Sequence, residues 1–245
     1  MLRIISKGGV AALILLGAAP LAAAPAKKAN IKAAPTKAAK PPVYYDFKGA
    51  RLGMTRAEWQ ALTPPVDPNS YVGSSEGPLK VFCTDTLGRD GKPVSGSGYL
   101  TDTEKSLGVV ICRYGRLFTV GNYSSVSPAT VKIGQFGSSD VDFKFLGGRL
   151  YEVSITGHKN LFGDVMDGLK AKFGEPDLDV NDTTQNKAGA TFPHTVKTWI
   201  NPVASITVET PFTKIDDLNV LYLDAGAAKR ISDAEKALHP DAEKM

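Results

Sequence analysis

Histidine exchanges a proton near neutral pH more readily than any other side chain, and the 245-residue chain has three: His158, His194 and His239. His158 stands at the end of one strand pattern, His194 just before another, and His239 directly before Pro240. Each could act as a general base. The partners that would turn such a base into a catalytic group are harder to find: no Ser has Lys three residues on, and H-E-x-x-H does not occur. Polar surface histidines at element ends are the expected reading, so no catalytic residue is assigned.

Asp85, Asp90, Asp102 and Glu104 are the second group with chemical capacity, gathered between the two cysteines with Gly88 and Gly91 among them. A hard cation such as calcium wants several oxygens from one flexible loop. The spacing does not match an EF-hand, and a solvated acidic loop is expected, with no metal ligand or cofactor assigned. Cys83 and Cys112 end two apolar strand-like runs, Leu79–Cys83 and Val109–Cys112. Alternation puts Leu79, Val81 and Cys83 on one face, and Val110 and Cys112 on one face. Antiparallel pairing of the runs would bring the sulfurs together, and a disulfide is expected in an oxidising compartment. The spacing is too long for C-x-x-C redox chemistry.

The elements that must hold these groups follow an export signal. Residues 1–26 have a basic start (Arg3, Lys7), an uncharged apolar run from Gly8 to Leu21, and small residues up to Ala26, the pattern of a cleaved signal peptide with the cut after Ala26. No transmembrane span is expected after processing. Residues 27–42 are Ala, Lys and Pro with little to bury, an extended tether whose basic charge could touch anionic surfaces or simply stay solvated. Residues 1–42 hold seven Lys/Arg and no acid, so 22 bases face 25 acids in residues 43–245. A basic nucleic-acid face would need the opposite balance, so no nucleic-acid partner is expected.

A first helix is announced by Leu52-Gly53-Met54-Thr55-Arg56-Ala57-Glu58-Trp59. Thr55 as N-cap and Glu58 three residues on form a capping box, and Met54 and Trp59 hold the positions of a hydrophobic staple. Pro64 and Pro65 end it. A second helix runs from a cap at Asn160 through Leu161, Phe162, Val165, Met166, Leu169 and Phe173 to Gly174 and Pro176. Val141, Phe143 and Phe145 alternate, as do Tyr151, Val153 and Ile155. A three-residue loop, Leu146 to Gly148, is expected to pair Phe143 with Tyr151 and Val141 with Val153, because a two-residue turn would put the apolar sets on opposite faces. Strands follow at 195–200, 204–210 and 218–224, then a short polar helix from about Asp233, capped by Ser232.

Strands that follow one another without intervening helices point to an α+β fold, with antiparallel sheet packed by two main helices. The order suggests a duplicated helix-plus-strands unit, residues 43–137 and 138–230, closed by a helix and tail at 231–245. Leu52-Gly53-Met54-Thr55-x-x-Glu58-Trp59-x-x-Leu62 resembles the G-M-T-x-x-[EQ]-V-x-x-L opening of small outer-membrane assembly lipoproteins of the SmpA/OmlA type, and more broadly the β-lactamase-inhibitor-like fold. The resemblance implies an interaction module of the cell envelope and transfers no binding residue. The expected function is therefore a secreted or periplasmic binding or assembly module with an envelope protein as partner. An envelope hydrolase of unrecognised type, or an inhibitor of an envelope enzyme, is the alternative. A binding module should present an exposed apolar or aromatic sheet face; an enzyme should present a cleft where His158 or His194 meets a carboxylate.

Overall fold

The computed structural model describes residues 43–66, 79–88, 90–94, 98–120, 123–133, 137–185 and 189–239. The signal peptide and tether read from residues 1–42 lie outside them. The structure is built on antiparallel β-pairing. A short hairpin, β1 (Asp46–Phe47) and β2 (Ala50–Arg51), precedes α1 (Arg56–Gln60). Then come β3 (Lys80–Cys83), α2 (Asp102–Ser106), β4 (Val110–Val120), β5 (Tyr123–Pro128), β6 (Val131–Ile133), β7 (Gly137–Leu146) and β8 (Arg149–His158). A single 3-10 turn at 159–161 leads into α3 (Phe162–Phe173), followed by β9 (Leu178–Gln185), β10 (Thr191–Ile200), β11 (Ala204–Thr210), β12 (Asp217–Asp224) and α4 (Ala225–Leu238). Among the described residues, no helix is long and apolar enough to cross a membrane.

Ten strands join in one sheet, ordered β3-β4-β7-β8-β12-β11-β10-β9, with β5 on the far half of β4 and β6 on the start of β7. This corrects the expected α+β arrangement of sheet packed by two main helices. Strands assigned to both halves belong to one continuous sheet, β4 pairing with β7, and the helices are short additions to it. Alternating apolar residues each bury one face, so consecutive strands gain most by extending an existing sheet.

One row of paired residues crosses the sheet: Cys83, Cys112, Phe143, Val153, Tyr222, Ile206 and Trp199. Directly paired residues point to the same face, and all seven are buried. Covering that face are Tyr45 and Phe47, Leu52, Trp59 of α1, and Leu161, Val165, Met166 and Leu169 at and within α3. Phe173 closes the far end of the helix edge-on to Tyr45, ring centroids 4.9 Å apart.

The β7–β8 turn departs from expectation. Phe145 pairs with Leu150 and Leu146 with Arg149 across a two-residue turn, Gly147-Gly148, both with positive φ (58° and 75°) as a type I′ turn requires. One step further Lys144 pairs with Glu152 and Phe143 with Val153, because the register shifts by one residue between Lys144 and Phe145. The bulge takes up Tyr151 and restores apolar facing, which the sequence argument had assigned to a longer loop. Three other boundaries change. His158, not Asn160, caps the 3-10 turn that precedes α3. The last helix starts at Ala225 with Asp224 as N-cap, well before Ser232. Strand β9, every residue of it exposed, has only Leu178 and Val180 as apolar alternation to announce it.

Candidate functional site

His194 lies on β10 directly opposite Asp182 of β9, with Glu209 of β11 on its other flank. Its Nδ1 is 2.6 Å from Asp182 Oδ1 and its Nε2 3.1 Å from Glu209 Oε1. Partial burial opposes the charge on the ring, but the two carboxylates outweigh it and raise its pKa. A general base needs one ring nitrogen free. Here both are engaged, and the ring ties three strands together on the face away from the core. His158 Nδ1 accepts from the Asn160 amide at 3.3 Å, and His239 ends α4 beside Glu235. The three histidines do not converge.

Nor do the four acids. Asp85 accepts both guanidinium nitrogens of Arg56 (2.6 and 3.1 Å), Asp90 accepts from the Lys92 amide, and Asp102 pairs with Lys105. Glu104 goes inside. Thr101 and Glu104 form a capping box on α2, the Thr-x-x-Glu signal of a helix start, where a solvated loop is expected. Glu104 lies 2.7 Å from Lys144 Nζ, which also reaches Glu152 at 3.1 Å, and Tyr151 donates to Glu104 at 3.2 Å. Burial pushes the Glu104 carboxyl up, but Lys144 and Thr101 hold it lower than usual. Burial raises the Glu152 carboxyl despite Lys144. This satisfied cluster holds α2 to the sheet, and Thr103 bonds Glu235 of α4 across the helix pair.

The cysteine pair and the Thr55–Glu58 cap are present in the structure. Cys83 and Cys112 are bonded to each other at directly paired positions. Thr55 Oγ1 accepts from the Glu58 amide (3.2 Å) and Glu58 accepts from the Thr55 amide (2.6 Å), both halves of the box. Trp59 is fully buried, and Met54 packs partly buried against the same core. One motif went unnoticed in the sequence: Gly73-Ser74-Ser75-Glu76-Gly77 has G-x-S-x-G spacing. It lies outside the described residues.

The cleft with the most distinctive chemistry involves none of these groups. The Gly53–Thr55 segment runs alongside the start of β8, with Gly53 N donating to Leu150 O (2.7 Å) and Leu150 N to Met54 O (2.8 Å). That pairing brings β2 beside the β7–β8 turn, and β12 delivers the first turns of α4 to the same place. Between them is a cleft of about 600 Å³ lined by Arg51, Arg149 and Arg230, with Tyr44 and Asp224. Arg149 donates to Gly53 O at 2.9 Å. Among the described residues neither Arg51 nor Arg230 has a carboxylate partner, and both are exposed. Asp224 spends an oxygen on the Ala227 amide (2.8 Å) as the α4 cap. No pattern in the sequence could have flagged three arginines so far apart. No family model, curated protein or solved structure matches the chain.

Proposed function

We propose that this chain is an exported, non-catalytic binding module of the cell envelope, and that it engages its partner component through the arginine-lined cleft. The observation that carries the reading is the imbalance there: three guanidinium groups line one concavity with a single carboxylate, itself committed to a helix cap. Unspent arginine donors in a cleft are the usual signature of recognition of an anionic group. The signal-like residues 1–26 and the G-M-T resemblance support the envelope setting. The alternative, an envelope hydrolase, draws no support from His194, whose two ring nitrogens are both occupied.

The binding surface differs from the one anticipated. The face of the sheet away from α1 and α3 is mixed: α2 and α4 cover part of it over Val109, Leu146 and Tyr151, and elsewhere it carries Arg113–Asp142, Ser154–Asn219 and the His194 clamp beside exposed Leu178, Val180 and Ile200. The exposed apolar residues there are aliphatic, and the cleft carries the more specific chemistry. A photo-crosslinking residue in place of Tyr44, which is 44% exposed at the cleft, tests the reading in cells that export the protein. The expected result is an adduct with an envelope component that disappears in an Arg51→Glu, Arg230→Glu variant of unchanged melting temperature. An adduct indifferent to that charge reversal would refute the cleft as the binding site.

A further inference from the structure

We infer that the ligand group recognised in this cleft is a phosphomonoester, an inference that rests on the cleft being the binding site. Arg149 is fixed by its bond to Gly53 O, which orients one guanidinium without consuming its remaining donors. Arg51 stands on β2 and Arg230 on the second turn of α4, so the three approach from separate elements. A carboxylate offers two oxygens and satisfies one guanidinium fork. A phosphomonoester offers three terminal oxygens and close to two negative charges at neutral pH, so more than one fork can grip it at once.

Among the described residues, no carboxylate is bonded to those donors. Asp224 accepts from the Ala227 amide, and Glu58, within electrostatic reach of Arg149 and Arg51, accepts from the amide and hydroxyl of Thr55. The cleft is also several times larger than a phosphate ion and carries apolar wall from Leu150 and the ring of Tyr44. Room and wall suit a phosphate attached to a larger body. An anionic lipid headgroup and a soluble phosphorylated compound share this chemistry.

The test is calorimetric titration of the exported chain with inorganic phosphate and with acetate, together with sedimentation on phosphatidylcholine vesicles with or without phosphatidic acid. Arg51→Gln, Arg230→Gln and the double variant are run beside it, with melting temperature as the folding control. Phosphate binding that exceeds acetate binding and falls at least tenfold in the double variant is the expected result. Arginine-dependent sedimentation with phosphatidic acid supports the inference and identifies a lipid headgroup as source; phosphate binding without sedimentation supports it with a soluble source. Acetate binding as tight as phosphate overturns the phosphomonoester while leaving the cleft an anion site. Binding of no probe by the wild type, or binding unchanged in the double variant, overturns the anion site as well.

Discussion

The indole of Trp59 packs against the ring of Phe143 with centroids 4.7 Å apart, and against Tyr114 and Phe145 at 5.1 and 5.4 Å. A helix of five residues is thereby attached to β4 and β7 through one side chain. Trp59→Ala is expected to cost about 3–5 kcal/mol, the usual range for emptying a buried aromatic site. Thr55→Ala, which removes only the cap, should cost about 1 kcal/mol. Urea denaturation of both variants checks the order; a Trp59→Ala protein with unchanged midpoint would mean the side chain is not part of the core.

The Cys83–Cys112 bond closes a loop with a sequence separation of 29. In the chain-entropy treatment a loop of that length contributes about 3–4 kcal/mol. The double Cys→Ala variant should unfold at correspondingly lower denaturant, and thiol titration of the denatured, unreduced wild type should find no free thiol. Two titratable thiols would contradict the pairing.

Partial burial disfavours charge on His194, but Asp182 and Glu209 favour it more strongly, so its pKa is raised in the folded protein. The clamp therefore contributes to stability in full below the unfolded-chain value of about 6.5 and loses that contribution as pH rises through the higher folded value. His194→Gln should be clearly less stable than wild type at pH 5.5, with the gap narrowing by pH 9. A gap of equal size at both pH values would show that the ring's charge is irrelevant.

Lys144 serves two carboxylates that lie mostly out of solvent. Replacing it with Met leaves Glu104 and Glu152 facing each other without a counter-charge, for an expected loss of about 3 kcal/mol. Adding Glu152→Gln should recover a measurable part of that loss, because the amide needs no counter-ion. Denaturation of the single and double variants, side by side, measures the recovery, and its absence would locate the cost in lost packing.

What could be read directly from the chain was local. The capping box at Thr55 and Glu58, the stop of α3 at Gly174 (φ 78°) and the shared facing of Cys83 and Cys112 depend on residues a few positions apart or on simple alternation. Even so, some local signals were passed over, such as the Thr101–Glu104 box of α2. Others were too weak to read: α4 buries no residue fully and sets only a few side chains, Ala227 and Ile231 among them, against the sheet.

Tertiary structure decided what alternation leaves open. Residues Phe143 and Val153 face each other only because a bulge takes up Tyr151, and a one-residue choice of that kind is made by burial of both strands at once. The same holds for joining all strands into one sheet, since the apolar faces of the presumed halves are indifferent to which neighbour covers them. The cleft is the extreme case. Arg51, Arg149 and Arg230 have no relation in the sequence, and they meet because β12 pairs with β8 and places α4 beside the turn that carries Arg149. Long-range pairing energy, summed over the whole sheet, brings those three charges together, and no local pattern encodes it.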